Sequence, residues 1–139
     1  MSLLRVLDVS ATGMSAQSVR LNTTASNLAN ANSVSSSADE TYRSRQPIFA
    51  AELNSAKSGL RSDVGVKVQG IVESDAPLNK EFAPNHPKAD GEGFIYHSNV
   101  NVMEEMANMI SASRSYQTNV QIADAAKQML SRTLQMGKS

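Results

Sequence analysis

The sequence predicts a mainly α fold, in which long N- and C-terminal helices pair as an antiparallel coiled coil around a small β-rich insert. Three observations predict it. A seven-residue apolar repeat runs through the head of the chain, a second runs through its tail, and between them valines alternate among prolines and glycines. At 139 residues the chain has room for one domain and too little for two comfortable cores. The expected division is 1–33 for the first helix, 34–99 for a loop and the β-rich insert, and 100–139 for the second helix.

In the head, Leu7, Met14, Leu21 and Leu28 recur every seven residues, and Leu4, Ala11, Ser18 and Ala25 recur three residues ahead of them. These are the d and a positions of a coiled-coil seam, with no proline to break it. Gly13 interrupts it at about 1 kcal/mol relative to Ala. A helix from Leu3 to Asn30 would be about 40 Å long. Residues 1–33 carry only the charges of Arg5, Asp8 and Arg20, whereas a solvated helix usually displays Glu and Lys. Its Ser, Thr, Asn and Gln side chains can be buried against other subunits through hydrogen bonds, without desolvating ions. Asn22, Asn27, Asn30 and Asn32 lower intrinsic helicity, so this helix is expected to be weak alone and firm when packed.

Ser33 to Thr41 is Ser-rich and aperiodic and reads as a loop. Tyr42 to Leu53 reads as extended, with Pro47 restricting it to an edge or bent strand. Asn54 to Asp63 is a second polar loop. Val64, Val66, Val68 and, past Gly70, Val72 alternate as in a half-buried strand. Pro77, Pro84 and Pro87 punctuate the stretch beyond this strand, and Asp90-Gly91-Glu92-Gly93 turns the chain into a short Phe94-Ile95-Tyr96 strand.

From about Val100 the helical period returns. Val102, Met109, Tyr116, Ala123 and Leu130 are spaced by seven; Met106, Val120 and Leu134 form a neighbouring stripe, with Ser113 and Lys127 in its register. No Pro or Gly lies between Phe94 and Gly137, so the helix is expected to reach about 50 Å and stop at Gly137. Each helix alone is marginal, so pairing supplies most of the stability and the insert projects from the pair. The candidate seam and subunit-interface residues are therefore Leu4, Leu7, Ala11, Met14, Leu21, Ala25 and Leu28 in the head. In the tail they are Val102, Met106, Met109, Tyr116, Val120, Ala123, Leu130 and Leu134.

Composition removes several function classes. The 13 basic and 13 acidic side chains cancel, which leaves no electrostatic footprint for nucleic acid or an anionic membrane. The absence of Cys removes disulfides, thiolate metal sites and Cys nucleophiles. Aromatics are 4% and Trp is absent, so small residues must carry the packing and part of the buried partner surface belongs to other chains. The first residues do not form a Sec signal, because Arg5 and Asp8 break the apolar run. No stretch reaches the apolar length of a membrane span.

Catalytic and metal constellations fare no better. His86, Asp90, Glu92 and His97 have a spacing that zinc would tolerate, but the flanking prolines and glycines already explain them as turn residues. Asp90-Gly-Glu-Gly lacks the alternate ligands and terminal Glu of an EF-hand, and no glycine run is followed by the residues of a phosphate loop. Ser111, Ser113 and Ser115 have no His nearby. Glu104 and Glu105 open a helix, where the dipole favours them. Met103, Met106 and Met109 fit interface packing. No enzyme activity and no cofactor is expected.

The run Ala25-Ser26-Asn27-Leu28-Ala29-Asn30-Ala31-Asn32 resembles the N-terminal motif shared by flagellar rod and hook proteins, with Asn27, Leu28, Ala29, Asn30 and Asn32 carrying the likeness. In the long-chain relatives a Thr-Pro-Gly-Tyr step follows directly. Here Ser33 and a loop precede Tyr42-Arg43 and Pro47-Ile48-Phe49, which resembles the proximal rod subclass. Similar in order are Gly65-Val66-Lys67-Val68, Ile71-Val72-Glu73-Ser74 with Ala76-Pro77, and Pro84-Asn85-His86-Pro87 with Ala89-Asp90. Asn99-Val100-Asn101-Val102, Glu104-Glu105-Met106, Ser113-Arg114-Ser115-Tyr116-Gln117 and Asn119-Val120 complete the set.

The resemblance implies a non-enzymatic subunit of the proximal rod of the bacterial flagellar basal body. Such a subunit leaves the cytosol through the flagellar type III export apparatus without a cleaved signal and polymerises helically in the periplasmic space into a torque-transmitting shaft. Implied partners are FlgB, FlgF, FlgG, FliE and further copies of itself, with no nucleic acid and no membrane span. The second helix would lie toward the lumen and the insert outermost. Competing expectations are another rod subunit of the same family, a soluble helical adaptor or chaperone of flagellar secretion, and a peptidoglycan-cleaving enzyme, for which no carboxylate pair stands out.

Overall fold

A computed structural model describes residues 3–54 and 63–137. Two long helices, α1 (Leu3–Ala29) and α2 (Val102–Met136), enclose an antiparallel β insert. The helices run antiparallel: Gly13 lies against Asn119, and farther along α1 the Arg20 Nη2 donates to Asn108 Oδ1 at 2.8 Å. A Cβ at Gly13 would sit 2.8 Å from Asn119 Nδ2, so the glycine that interrupts the head repeat is a point where the two helices come into close approach.

The helix ends follow from local chemistry. Asn101 caps α2 with extended backbone, and its Oδ1 accepts from the Met103 and Glu104 N–H groups at 3.1 and 3.4 Å. At the far end Gly137 stops the helix in a right-handed conformation, φ −80°, with its N–H on Thr133 C=O. α1 ends without glycine. Asn30 Nδ2 donates to Ser26 C=O at 2.9 Å, and the Ser33 N–H and Oγ both donate to Asn30 C=O at 3.1 and 2.7 Å. Asn and Ser thus satisfy carbonyls that the end of a helix leaves open.

Among the described residues the insert contains two sheets. Strands β2 (Arg45–Asn54) and β3 (Asp63–Glu73) form a two-stranded antiparallel ribbon. Pro47 pairs opposite Ile71 there, tolerated because each strand of a ribbon has a free edge, and the register shifts between Ile48 and Phe49. β1 (Val34–Ser35), β5 (Phe94–His97) and β4 (Asn79–Phe82) form a three-stranded sheet in the order β1-β5-β4. β1 falls inside the segment read from sequence as loop. Two residues offer no alternation to detect, and the strand exists because Tyr96 and His97 present it an edge. The β4–β5 connection needs Gly93 at φ +84°, where a Cβ would also press on Phe82 and Pro84. The Phe82 and Phe94 rings meet edge to face, 5.1 Å apart. The polar loop expected from Asn54 to Asp63 lies almost wholly outside the described residues.

The ribbon does not project from the helix pair. It lies back along α1, with Arg45 at Asn27 near the helix C-terminus and Gly65 and Val66 against Thr12 toward its N-terminus. Thr12 Oγ1 accepts from Val66 N–H at 3.3 Å, and a Cβ on Gly65 would come within 3.2 Å of that oxygen. The missing side chain lets the strand reach the helix, and the polar face of α1 is what the strand covers.

Candidate functional site

The family-motif residue Asn27 is the centre of a buried polar cluster. It is 1% exposed and uses both ends of its amide. Nδ2 donates to Arg45 C=O at 2.8 Å and to Ser44 Oγ at 3.4 Å, while Oδ1 accepts from Arg45 N–H and from Tyr42 OH, both at 2.9 Å. From there the cluster crosses the fold. Ser44 N–H donates to Asn99 Oδ1 at 2.7 Å, and Asn99 Nδ2 donates to Ala76 C=O at 3.0 Å and Ser74 C=O at 3.4 Å. Ser74 N–H returns to Ser44 C=O at 2.8 Å. One side chain therefore ties the end of α1 to the root of the ribbon, and a second ties that root to the entry of α2. The neighbouring Arg45 reaches Glu73 across the ribbon with Nε and Nη2, at 3.1 and 3.0 Å.

The candidate interface residues behave differently. On α1 the buried positions are Ser10, Ala16, Thr23, Thr24 and Asn27, and on α2 they are Glu105, Ala112 and Ala126. Small and polar side chains are enclosed within the chain. The apolar stripes lie beside them: Leu7, Met14, Leu21 and Leu28 are half-buried, Ala11 and Ala25 are exposed, and Leu4 is 64% exposed. On α2, Met109, Val120, Ala123 and Leu130 are half-buried, whereas Val102, Met106, Tyr116 and Leu134 are exposed. Of the other motif residues, Ser113 is half-buried, and Ala29, Asn32, Arg114 and Gln117 are exposed. Asn30 serves the end of α1, as described above.

Between α1, the start of α2 and β2 lies a groove of about 360 Å³, lined by Arg20, Thr24, Arg45, Glu105 and Asn108 among others. Glu105 is 4% exposed, and no described residue hydrogen-bonds or ion-pairs with its carboxylate. The sequence placed it in the Glu104-Glu105-Met106 likeness and as a partner of the helix dipole; its burial, at the groove where α1, the start of α2 and β2 meet, is announced by no local pattern.

The His and Asp residues weighed as metal ligands serve turns and strands. Asp90 Oδ1 accepts from the Glu92 and Phe94 N–H groups at 2.9 and 2.8 Å, His86 Nδ1 accepts from Lys88 N–H at 3.1 Å, and His97 Nε2 meets Glu81 Oε2 at 2.8 Å. The Asp90 carboxyl is held below its ordinary range, first by the Phe94 N–H and then by the Glu92 N–H and the Lys80 charge, against partial desolvation. Among the described residues no three His, Cys, Asp or Glu side chains converge on one point. No described helix is long and apolar enough to cross a membrane.

Comparison with known proteins agrees with this architecture at both ends. The family described as "Flagella basal body rod protein" matches residues 7–35, covering most of α1, and "Flagellar basal body rod FlgEFG protein C-terminal" matches residues 92–136, covering β5 and α2. The chain is 42% identical over 138 residues to the flagellar basal-body rod protein FlgC of Escherichia coli O6:H1 and 41% identical over 138 residues to that of Salmonella typhimurium. Each alignment spans 99% of this chain and 100% of the relative. Against FlgC of Bacillus subtilis the identity is 34% over 150 aligned residues, again 99% of this chain and 100% of the relative. The likeness therefore takes in both helices and the insert between them, and this chain belongs to the FlgC family of flagellar basal-body rod proteins.

Proposed function

We infer that this chain is a structural subunit of the proximal flagellar rod, polymerising helically into the shaft that transmits torque from motor to hook. The observation that carries the mechanical part is its surface. On the helices Leu4, Met103, Met106, Ile110, Leu134 and Met136 are all more than half exposed, a larger apolar surface than a self-contained subunit usually leaves in water.

In this reading segments 1–33 and 100–139 form the assembling core and 34–99 decorates it. The stripes Leu4–Leu28 and Val102–Leu134 become coiled-coil seams when neighbouring subunits supply the missing faces, as a heterologous contact that propagates without closing a ring. Neighbours are further copies of itself, FlgB, FlgF, FlgG and FliE, reached in the periplasmic space after passage through the type III export apparatus without a cleaved signal. The role is mechanical and uses no cofactor. Membership of the rod family supports the location, and the open apolar helices support polymerisation.

The direct test images purified basal bodies by electron cryomicroscopy in cells whose only copy of this protein is the present chain. Both terminal helices are expected between subunits in the part of the rod nearest the membrane. Complete rods that lack the chain would overturn the assignment.

A further inference from the structure

The six methionines that the structure describes all sit on helices, and they differ sharply in exposure. Met103 and Met136 are 76% and 72% exposed, and Met106 and Met129 are each 51% exposed. Met14 on α1 and Met109 on α2 are half-buried. The four exposed sulfurs therefore all belong to α2, where they fall on two apolar stripes. Met103, Met106 and Ile110 follow one another at three- and four-residue spacing, and Ile122, Met129 and Met136 recur every seven. Ile110 and Ile122 are themselves 56% and 42% exposed, so the sulfurs lie within the apolar surface that the rod reading gives to neighbouring subunits.

The chain has no Cys, whose thiolate is the side-chain group that peroxides oxidise most readily. Its exposed thioethers are then the softest groups it offers an oxidant. We propose that Met103, Met106, Met129 and Met136 form a reversible oxidation site whose sulfoxide form bars the free subunit from assembly. In the forward step a sulfur lone pair takes one oxygen from hydrogen peroxide. The S–O bond forms as the O–O bond breaks, and the proton on the transferred oxygen joins the departing hydroxide as water. The sulfide loses two electrons and the peroxide gains them. A methionine sulfoxide reductase reverses the step with a dithiol, which is oxidised to a disulfide while the oxygen leaves as water. The sulfoxide puts a polar acceptor on an apolar stripe, and an apolar neighbour would have to cover it without a hydrogen bond. On the free subunit the same group stays in water, so the fold is undisturbed. Assembly hides the stripe, so the site is open only before the subunit is built in.

The effect on assembly rests on the rod reading, and the experiment keeps the two apart. Recovery of the unoxidised chain in purified basal bodies tests the rod reading by itself. On the soluble chain, limiting hydrogen peroxide followed by peptide mass spectrometry should show the four exposed methionines oxidised about tenfold faster than Met14 and Met109. The thermal midpoint should not move, and sulfoxide reductase should restore all four. In cells that lack sulfoxide reductases, a peroxide pulse during rod formation should lower incorporation of the parent chain about tenfold. The quadruple variant Met103→Leu, Met106→Leu, Met129→Leu, Met136→Leu conserves apolar volume and should incorporate normally with or without peroxide. Equally fast oxidation of Met14 and Met109, a lowered midpoint in the oxidised chain, undiminished incorporation of the parent under peroxide, or an equal loss in the quadruple variant would each overturn the proposal.

Discussion

At the residue scale the fold depends most on Asn27. Ala in its place removes the partner of both polar backbone groups of Arg45 and leaves the Tyr42 hydroxyl with Ser26 Oγ alone. Asn27→Ala is expected to destabilise the soluble chain by about 3 kcal/mol, read from urea unfolding, whereas Tyr42→Phe, which removes one hydroxyl, should cost about 1 kcal/mol. Equal effects would mean that the cluster is not closed. Asp90 gives the acid dependence. Its folded pKa is depressed, so the stability it contributes is present above the unfolded value of about 3.9 and is lost as pH falls through the lower folded value. In Asp90→Asn the Glu92 and Phe94 amide signals should therefore lose the acid transition that they show in the parent chain below about pH 4. The sequence made Asn27 visible only as a motif member. Its partners lie at 42, 44 and 45, and the second half of the cluster at 74, 76 and 99, separations that no periodicity connects.

At the scale of elements, both long helices were legible because a seven-residue repeat without proline leaves little alternative. α1 spans Leu3–Ala29 where the repeat suggested Leu3 to Asn30, and α2 spans Val102–Met136 where it suggested about Val100 to Gly137. The buried face was less legible. Hydrophobic periodicity selects the largest apolar residues, but a single pair of helices at close approach encloses Ala16, Ala112 and Ala126, because only small side chains fit there. Gly13 shows the trade between propensity and packing. A methyl group would gain about 1 kcal/mol of helix propensity and would meet the movable end of Asn119. Gly13→Ala should therefore be nearly neutral alone and stabilising by about 1 kcal/mol when added to Asn119→Ala, measured by thermal unfolding. Gly65 offers no such relief, since its neighbour Thr12 is a short, branched side chain on a helix. Gly65→Val should lift the ribbon from α1, raising amide exchange along β2 and β3 while exchange in α2 stays protected. Unchanged exchange in the ribbon would show that the Thr12 contact does not hold it.

For the whole molecule, the residues that stabilise the subunit and those expected to join it to others lie on different faces of the same helices. Ala112 and Ala126 are 0% exposed, whereas Met106 and Leu134 are 51% and 62% exposed. Enlarging the first pair forces the helices apart, and overpacking of this kind costs about 1–3 kcal/mol or more. Placing a charge on the second pair changes the monomer by no more than about 0.5 kcal/mol, since both side chains are more than half exposed and a charged end can turn into water. In an assembled shaft the same charge would be buried against apolar neighbours without a partner. Met106→Glu and Leu134→Glu are thus expected to unfold at the parent's midpoint, be exported normally, and yet fail to enter basal bodies, leaving cells non-motile. Ala112→Leu should instead lower the midpoint, and its loss of motility should recover in part at reduced temperature. If Met106→Glu destabilised the monomer as strongly as Ala112→Leu does, the apolar stripe would belong to the subunit's own core, and the division between folding face and assembly face would fall.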